Sequence, residues 1–279
     1  MTIHGRDILF SRMLGIVDKE ELDTLKDATV SIPGCGGVGF THAEALARMG
    51  VGNFKLADFD TFGPENINRQ FGATSQTFGK RKVEVLKERL LSINPEIKIE
   101  CFDDVSERTV DAFLNEVDMV CDALDYFVIK PRRLMYELAY KKGIPVVMSG
   151  PIGFGATTHF FPPQGMTFDQ FFDLSDSQTE DEMLINFGIG LNPGRLDRHY
   201  LPDAKLDFED KKVASVSSSC LLATVQSTST AVLTLLDRET AIKAVPWVQQ
   251  VDYVVGTFHQ INTECGVESI KRNPNKYLG

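Results

Sequence analysis

The sequence predicts an α/β fold: a doubly wound, mostly parallel sheet with helices on both faces. Three observations predict it. Apolar β-rich runs recur along the chain, helical stretches separate them, and a glycine-rich turn follows the first run and opens a helix. The runs are Ala28 to Ile32, Asn53 to Ala57, Ile97 to Phe102, Val117 to Cys121 and Ile144 to Met148. Before the third of them, Val83, Leu86, Leu90 and Ile93 fall at steps of three and four, one apolar stripe on a helix that Asn94-Pro95 ends. Phe40 to Met49 reads as a second helix, closed by Gly50. Strands and helices alternating at this spacing imply parallel pairing through right-handed crossovers.

The pattern changes after residue 150. Ala156 to Phe161 predicts a strand, but Pro162 to Ser218 is long, proline-interrupted and weakly periodic, the profile of a crossover loop. Within it, Asp169 to Glu182 holds six acidic residues and no basic one, which predicts a solvated, mobile surface. Leu221 to Leu236 predicts an apolar helix rich in Ser and Thr, and Val251 to Phe258 a strand. The expected organisation is one domain over 1–279, with a core at 1–160, a crossover loop at 162–218 and a C-terminal helix and strand at 219–279.

With 43% hydrophobic and 24% charged residues, the composition is that of a globular protein and excludes disorder, collagen and coiled coil. The balance of 29 basic against 39 acidic residues, a net charge of -10, gives no general grip on nucleic acid or anionic membrane. No apolar run reaches the roughly 18 residues of a membrane span, and Met1 to Met13 lacks a signal-peptide core, so a cytoplasmic location is expected. Five cysteines without a CxxC pair signal neither a disulfide framework nor a four-cysteine zinc site, and no two of the five histidines are spaced as a helical metal pair.

Gly34-Cys35-Gly36-Gly37-Val38-Gly39 follows a strand and opens a helix, with Asp58 nineteen residues beyond. This is a dinucleotide-type, Rossmann-like fingerprint. Glycines allow a tight turn, the helix N-terminus offers N–H groups to phosphate, and the aspartate suits ribose hydroxyls. The turn alone leaves NAD, FAD and ATP open. The next segment, Asp58-Phe59-Asp60 through Asn66-Ile67-Asn68-Arg69-Gln70, then Gly79-Lys80-Arg81-Lys82, supplies cations that fit a triphosphate better than hydride transfer. Lys80, Arg81 and Lys82 fall in the first turn of the helix ending at Ile93, where the macrodipole disfavours cations and an anion would relieve the conflict; Lys80 and Arg81 read as solvated. Asp125 follows the fourth strand, placed either to hold Mg²⁺ with nucleotide phosphates or to cap the next helix.

In this order, GCGGVG, DFD, NINRQ, GKRK and DALD resemble the ThiF/MoeB/HesA adenylyltransferases, relatives of ubiquitin-activating enzymes. The resemblance covers residues 10 to 160 strongly and the C-terminal helix and strand weakly. It implies that Gly34, Gly36, Gly37 and Gly39 cradle ATP with Asp60. It further implies Asp58 on the ribose, Asn66 and Arg69 on the phosphates with Gln70 completing the Arg-Gln pair, Lys82 near the α-phosphate and Asp125 on Mg²⁺. Phe10-Ser11-Arg12-Met13-Leu14 resembles a segment whose arginine reaches the neighbouring subunit, which makes Arg12, with Arg6 as rival, a candidate supplied in trans within a homodimer. Arg132 matches a further family arginine across an insertion. The implied reaction activates a carboxylate as an acyl adenylate with release of pyrophosphate, the carboxylate belonging to a ubiquitin-like or sulfur-carrier protein, a peptide or a small molecule.

Two departures stand out. The paired CxxC motifs that bind zinc in sulfur-transfer members are missing, and no cysteine lies between Cys121 and Cys220, so the thioester nucleophile of other members is missing as well. Cys220, at the start of an apolar helix, reads as a small buried hydrophobe. Competing readings are a cyclase that dehydrates threonylcarbamoyl-adenosine in tRNA, an NAD-dependent oxidoreductase, which leaves Arg69, Lys82 and Asp125 unexplained, and a non-catalytic scaffold subunit. The acidic balance argues against a nucleic-acid partner.

Overall fold

Val30 and Ser31, Phe54 and Lys55, Val120 and Cys121, and Val146 and Val147 are buried, so successive residues of four of the expected runs are covered on both faces, the condition under which strands pair in parallel, while the third run, Ile97 to Phe102, stays partly exposed. In the computed structural model, which describes residues 6–201, 213–238 and 242–278, those runs form β1 (Thr29–Pro33), β2 (Asn53–Ala57), β3 (Lys98–Phe102), β4 (Met119–Asp122) and β5 (Val146–Ile152). They pair in parallel in the order β3-β2-β1-β4-β5. The sheet continues antiparallel through β6 (Gly155–Phe161), β7 (Trp247–Asp252) and β8 (Thr257–Asn262) to eight strands. The helices are α1 (Arg6–Leu9), α2 (Lys19–Asp27), α3 (Gly37–Arg48), α4 (Lys82–Ile93), α5 (Val110–Phe113), α6 (Ile129–Lys142), α7 (Phe168–Phe172), α8 (Glu180–Leu191), α9 (Ser217–Leu235) and α10 (Val267–Arg272). The doubly wound expectation holds: Leu46, Leu86 and Ala231 bring α3, α4 and α9 onto one face, while Phe113, Met135, Phe172, Phe187 and Val267 bring α5 to α8 and α10 onto the other. No helix among the described residues is long and apolar enough to cross a membrane.

Three expectations need correction. The stretch expected as a crossover loop holds two helices, α7 and α8, each opened by a capping box, at Thr167 with Gln170 and at Thr179 with Glu182. Phe168, Phe171, Phe172 and Phe187 pack there in a ring cluster, Phe168 and Phe172 with centroids 4.7 Å apart. Residues 202–212 of that stretch lie outside the described ones. The acidic run is also not an unpartnered surface: Asp169 and Asp176 meet Arg133 at 2.6 and 3.1 Å, Asp173 meets Lys271 at 2.9 Å and Glu180 meets Lys130 at 3.1 Å. Its cations come from α6 and α10, distant in sequence. Finally, Val251 to Phe258 straddles a turn. Gly256, at φ +72°, donates its N–H to Asp252 O at 2.9 Å, and the flanking residues close the β7–β8 hairpin.

The turn between β1 and α3 sets where the helix starts. Gly34 sits at φ +91°, and a β-carbon at Gly39 would lie 1.8 Å from Gly34 O, so α3 can approach β1 this closely only without a side chain there. The helix accordingly begins at Gly37, three residues earlier than its apolar pattern indicated.

Two measurements follow from this packing. Gly39→Ala is expected to destabilise the protein by more than about 3 kcal/mol in urea unfolding, because backbone must move to admit the methyl group; a wild-type midpoint would contradict the contact. Burial pushes the imidazole of His42 down to about 3 and that of His159 down to about 4. Both folded values lie below the unfolded value of about 6.5, so the unfolded chain takes up protons that the native chain refuses, and stability falls as pH drops from about 6.5 towards 4. Replacing one of the two, His42→Leu, should make that fall shallower by about 1.4 kcal/mol per pH unit between roughly pH 5.5 and 4.5. An unchanged slope would exclude His42 as a source of it.

Candidate functional site

Strand order reverses between β1 and β4, and in open α/β sheets the carboxyl edge at such a point is where ligands bind. The glycine turn lies there. Gly36 caps α3 without any side-chain hydrogen bond, which leaves the first N–H groups of a twelve-residue helix available to an anion. Asp58, just past β2, accepts the Cys35 N–H at 2.7 Å and the Asp60 N–H at 2.8 Å. Burial pushes its carboxyl up, against the pull of those two donors and of Lys82. Lys82 opens α4 with its side chain 8% exposed and its Nζ 2.9 Å from Asp60 Oδ2. A cavity of about 510 Å³ at this edge is lined by Gly34, Asp58, Asp60 and Asp125, the size of an ordinary small-ligand pocket.

Arg69 and Gln70 follow a short 3-10 turn, Pro64–Asn66, that Asn66 organises. Asn66 is buried; its Oδ1 accepts the Gly63 N–H at 2.9 Å and its carbonyl accepts the N–H groups of Arg69 and Gln70 at 3.2 and 2.8 Å. Arg69 lies beside Gly37, with Nη1 donating to Glu65 O at 3.2 Å and Asn68 Oδ1 at 3.1 Å. The Gln70 carboxamide covers Gly36, and its Oε1 is buried without a hydrogen-bond partner. An unpaired buried acceptor costs about 1–3 kcal/mol, an expense that a ligand donor at the glycine turn would remove. A β-carbon on Gly36 would meet the Gln70 carboxamide at 3.5 to 3.7 Å, ordinary van der Waals contact, so Gln70 packs directly over the turn. Cys220 Sγ lies 3.0 Å from the β-carbon position of Gly37; burial pushes its thiol up, partly offset by Ser215 and Arg69, as suits a packed hydrophobe and not a nucleophile.

Asp125 is exposed on the cavity wall, and its Oδ1 accepts the Phe127 N–H at 3.1 Å. It therefore braces its own turn, while α6 begins four residues later at Ile129. Among the described residues no cluster of three or more His, Cys, Asp or Glu could hold a metal ion by itself. One carboxylate completed by phosphate oxygens and water is the donor set Mg²⁺ uses with nucleotides, and Asp125 on the wall of this cavity fits it.

Other expected residues lie elsewhere. Arg12 is exposed on the 3-10 turn Ser11–Met13 and does not line the cavity, and the Arg6 side chain lies outside the described residues. Lys80 is exposed and Arg81, at the N-cap of α4, pairs with Asp103 at 2.5 Å, so of the three basic residues Lys82 alone lies inside the helix. Arg132 is buried behind Asp125 instead of facing the cavity. The sequence reading missed the wall formed by Asp103 to Glu107, Val128 and Leu134. The signal was available, since loops leaving the carboxyl ends of β3 and β4 must border this edge.

Similar proteins complete the description. A tRNA threonylcarbamoyladenosine dehydratase of Bacillus subtilis is 39% identical over 173 residues, 61% of this chain and 64% of that protein. A molybdopterin-synthase adenylyltransferase of Escherichia coli is 36% identical over 114 residues, 40% of this chain and 46% of that protein. The chain thus spans less than two thirds of the length of these curated relatives. The crystal structure of E. coli MccB with ATP superposes with a TM-score of 0.65 at 20% identity, covering 88% of this chain and 66% of that one, a likeness of fold. Residues 10–275 match the ThiF family, and on a match that spans nearly the whole chain the protein belongs to that family.

Proposed function

We propose that this protein binds ATP with Mg²⁺ at the glycine turn and transfers its adenylyl group to a carboxylate. The observation that carries the reading is the cavity at the strand-order reversal, bordered by the glycine turn, Asp58, Asp60 and Asp125, with the buried Lys82 paired to Asp60 and Arg69 packed beside Gly37. Asp58 accepts ribose hydroxyls, and Arg69, Lys82 and the helix N–H groups hold phosphate oxygens. Asp125 would hold Mg²⁺, which supplies further neutralisation of phosphate charge. One carboxylate oxygen of the acceptor attacks the α-phosphorus, the bond to the β-phosphate oxygen breaks, and pyrophosphate leaves with its electron pair. The nucleophile is already ionised, so orientation and charge neutralisation suffice without a general base. MccB, solved with ATP, and the molybdopterin-synthase adenylyltransferase support this nucleotide. Arg12 remains a candidate to complete the site across a homodimer.

For the acceptor, a polypeptide carboxylate fits the charge best. The chain carries -10 overall, and the cavity is lined by Asp104 and Glu107 together with Asp103, which pairs with Arg81, and Lys130, which pairs with Glu180. Such an edge repels RNA phosphates. The second reading, a threonylcarbamoyl-adenosine carboxylate in tRNA, is favoured by the B. subtilis dehydratase, whose identity is higher and runs over a longer stretch than that of the molybdopterin relative.

Arg69→Ala should lower carboxylate-dependent exchange of labelled pyrophosphate into ATP by about 10²- to 10³-fold with an unchanged thermal midpoint. Near-normal exchange in that variant would remove Arg69 from the reaction, and stabilisation of the wild type by NAD but not by ATP with Mg²⁺ would overturn adenylation altogether. Exchange of labelled pyrophosphate into ATP should be stimulated by peptides or small Gly-Gly-ended proteins and not by tRNA bearing threonylcarbamoyl-adenosine. The reverse result selects the RNA acceptor.

A further inference from the structure

Behind Asp125, on the side away from the cavity, lies a buried charged cluster that takes no direct part in the site. Arg132 of α6 is 2% exposed, and its three nitrogens serve a single turn. Nε donates to Asp122 Oδ2 at 2.8 Å, Nη1 to the Asp125 carbonyl at 3.1 Å and Nη2 to the Leu124 carbonyl at 2.5 Å. Asp122 is fixed in turn by the Tyr136 hydroxyl at 3.1 Å and the Leu124 N–H at 3.0 Å. The rigid fork of a guanidinium can span a carboxylate and two successive carbonyls, which an ammonium cannot.

The crossover reaches the same turn. Phe187 of α8 lies with its ring centroid 4.7 Å from the Arg132 guanidinium carbon, and the Tyr126 hydroxyl donates to Leu184 O of α8 at 2.6 Å. The Tyr126 and Phe187 rings meet at 5.4 Å. The turn from Asp122 to Tyr126 is therefore held from α6 on one side and from α8 on the other.

We infer that Arg132 is a positioning residue, which holds the main chain at Asp125 so that its carboxylate is presented to the nucleotide, and that Phe187 makes the crossover helix α8 part of that support. The inference rests on the reading of Asp125 as the carboxylate for Mg²⁺. It gives the crossover a role in the adenylation site without any cysteine, because a shift of α8 would be felt at Asp125 through the guanidinium.

The test titrates ATP into the full chain by calorimetry, once with EDTA and once with Mg²⁺, in wild type, Asp125→Ala, Arg132→Lys and Phe187→Leu. Lysine keeps the charge beside Asp122 and loses the fork. Displacing a working group by about 1 Å costs on the order of 10²-fold, so Arg132→Lys should lose at least about tenfold of the affinity gained with Mg²⁺ while its affinity in EDTA stays within about twofold. Phe187→Leu should lose a smaller part of the same gain. A folded Arg132→Lys with the full gain overturns the positioning role. A full gain in Phe187→Leu overturns the share of the crossover, and that variant, which keeps the buried ion pair, decides the question if Arg132→Lys does not fold. Asp125→Ala separates the two claims: a full gain there means the metal reading of Asp125 has failed, whereas loss there with a full gain in Arg132→Lys rejects the positioning role alone.

Discussion

The contact between Gly39 and the Gly34 carbonyl governs the ligand edge of this protein. It lets α3 abut β1 with no side chain between them, and so places free helix N–H groups at the point where the strand order reverses. The N–H of Cys35 then reaches Asp58 across the gap to β2, and Gln70 folds over Gly36. A larger residue at position 39 would push the helix outward from the turn, Gly34 to Gly36, that makes these contacts.

Around that contact the protein spends charge selectively. The chain is acidic overall, yet Lys82 is buried beside Asp60 and Arg69 packs at Gly37, which brings two cationic residues to this edge. Lys82 also occupies the first turn of α4, where the helix dipole opposes a cation. Asp60 offsets part of that conflict, and a bound phosphate would offset more. Arg81 settles the same conflict differently, outside the helix and against Asp103.

The crossover shows how distant residues change the meaning of a local pattern. Asp169 to Glu182 is acidic and polar when read by itself, but Arg133, Lys130 and Lys271 arrive from other helices to neutralise it, and the phenylalanines between the carboxylates turn inward to a shared aromatic core. What looks like a surface strip is the outer face of α7 and α8. Through Tyr126 and Phe187 α8 reaches the Asp125 turn, which ties the crossover to the edge of the cavity.

Much of the fold and part of the site were legible in the sequence because they rest on local rules. β-rich runs between helical stretches mark the parallel strands, so β1 to β4 were found within two residues while β5 runs four residues past its expected end, and the glycine turn with Asp58 declares itself by spacing. The hairpin of β7 and β8 was blurred into one strand because its turn, Tyr253 to Gly256, keeps two valines and a tyrosine in an apolar run. What the sequence by itself determined was the parallel core and the nucleotide-type turn, matters of period and short-range spacing, and a resemblance to one family carried by its ordered motifs. Only the tertiary structure decided that Lys82 is buried on Asp60, that Arg132 supports Asp125 from behind, that Asp103 to Glu107 wall the cavity and that the acidic crossover is helical. Each of those depends on which charges and rings meet across the sheet, and burial and Coulomb energies are set by distances that only the folded chain defines.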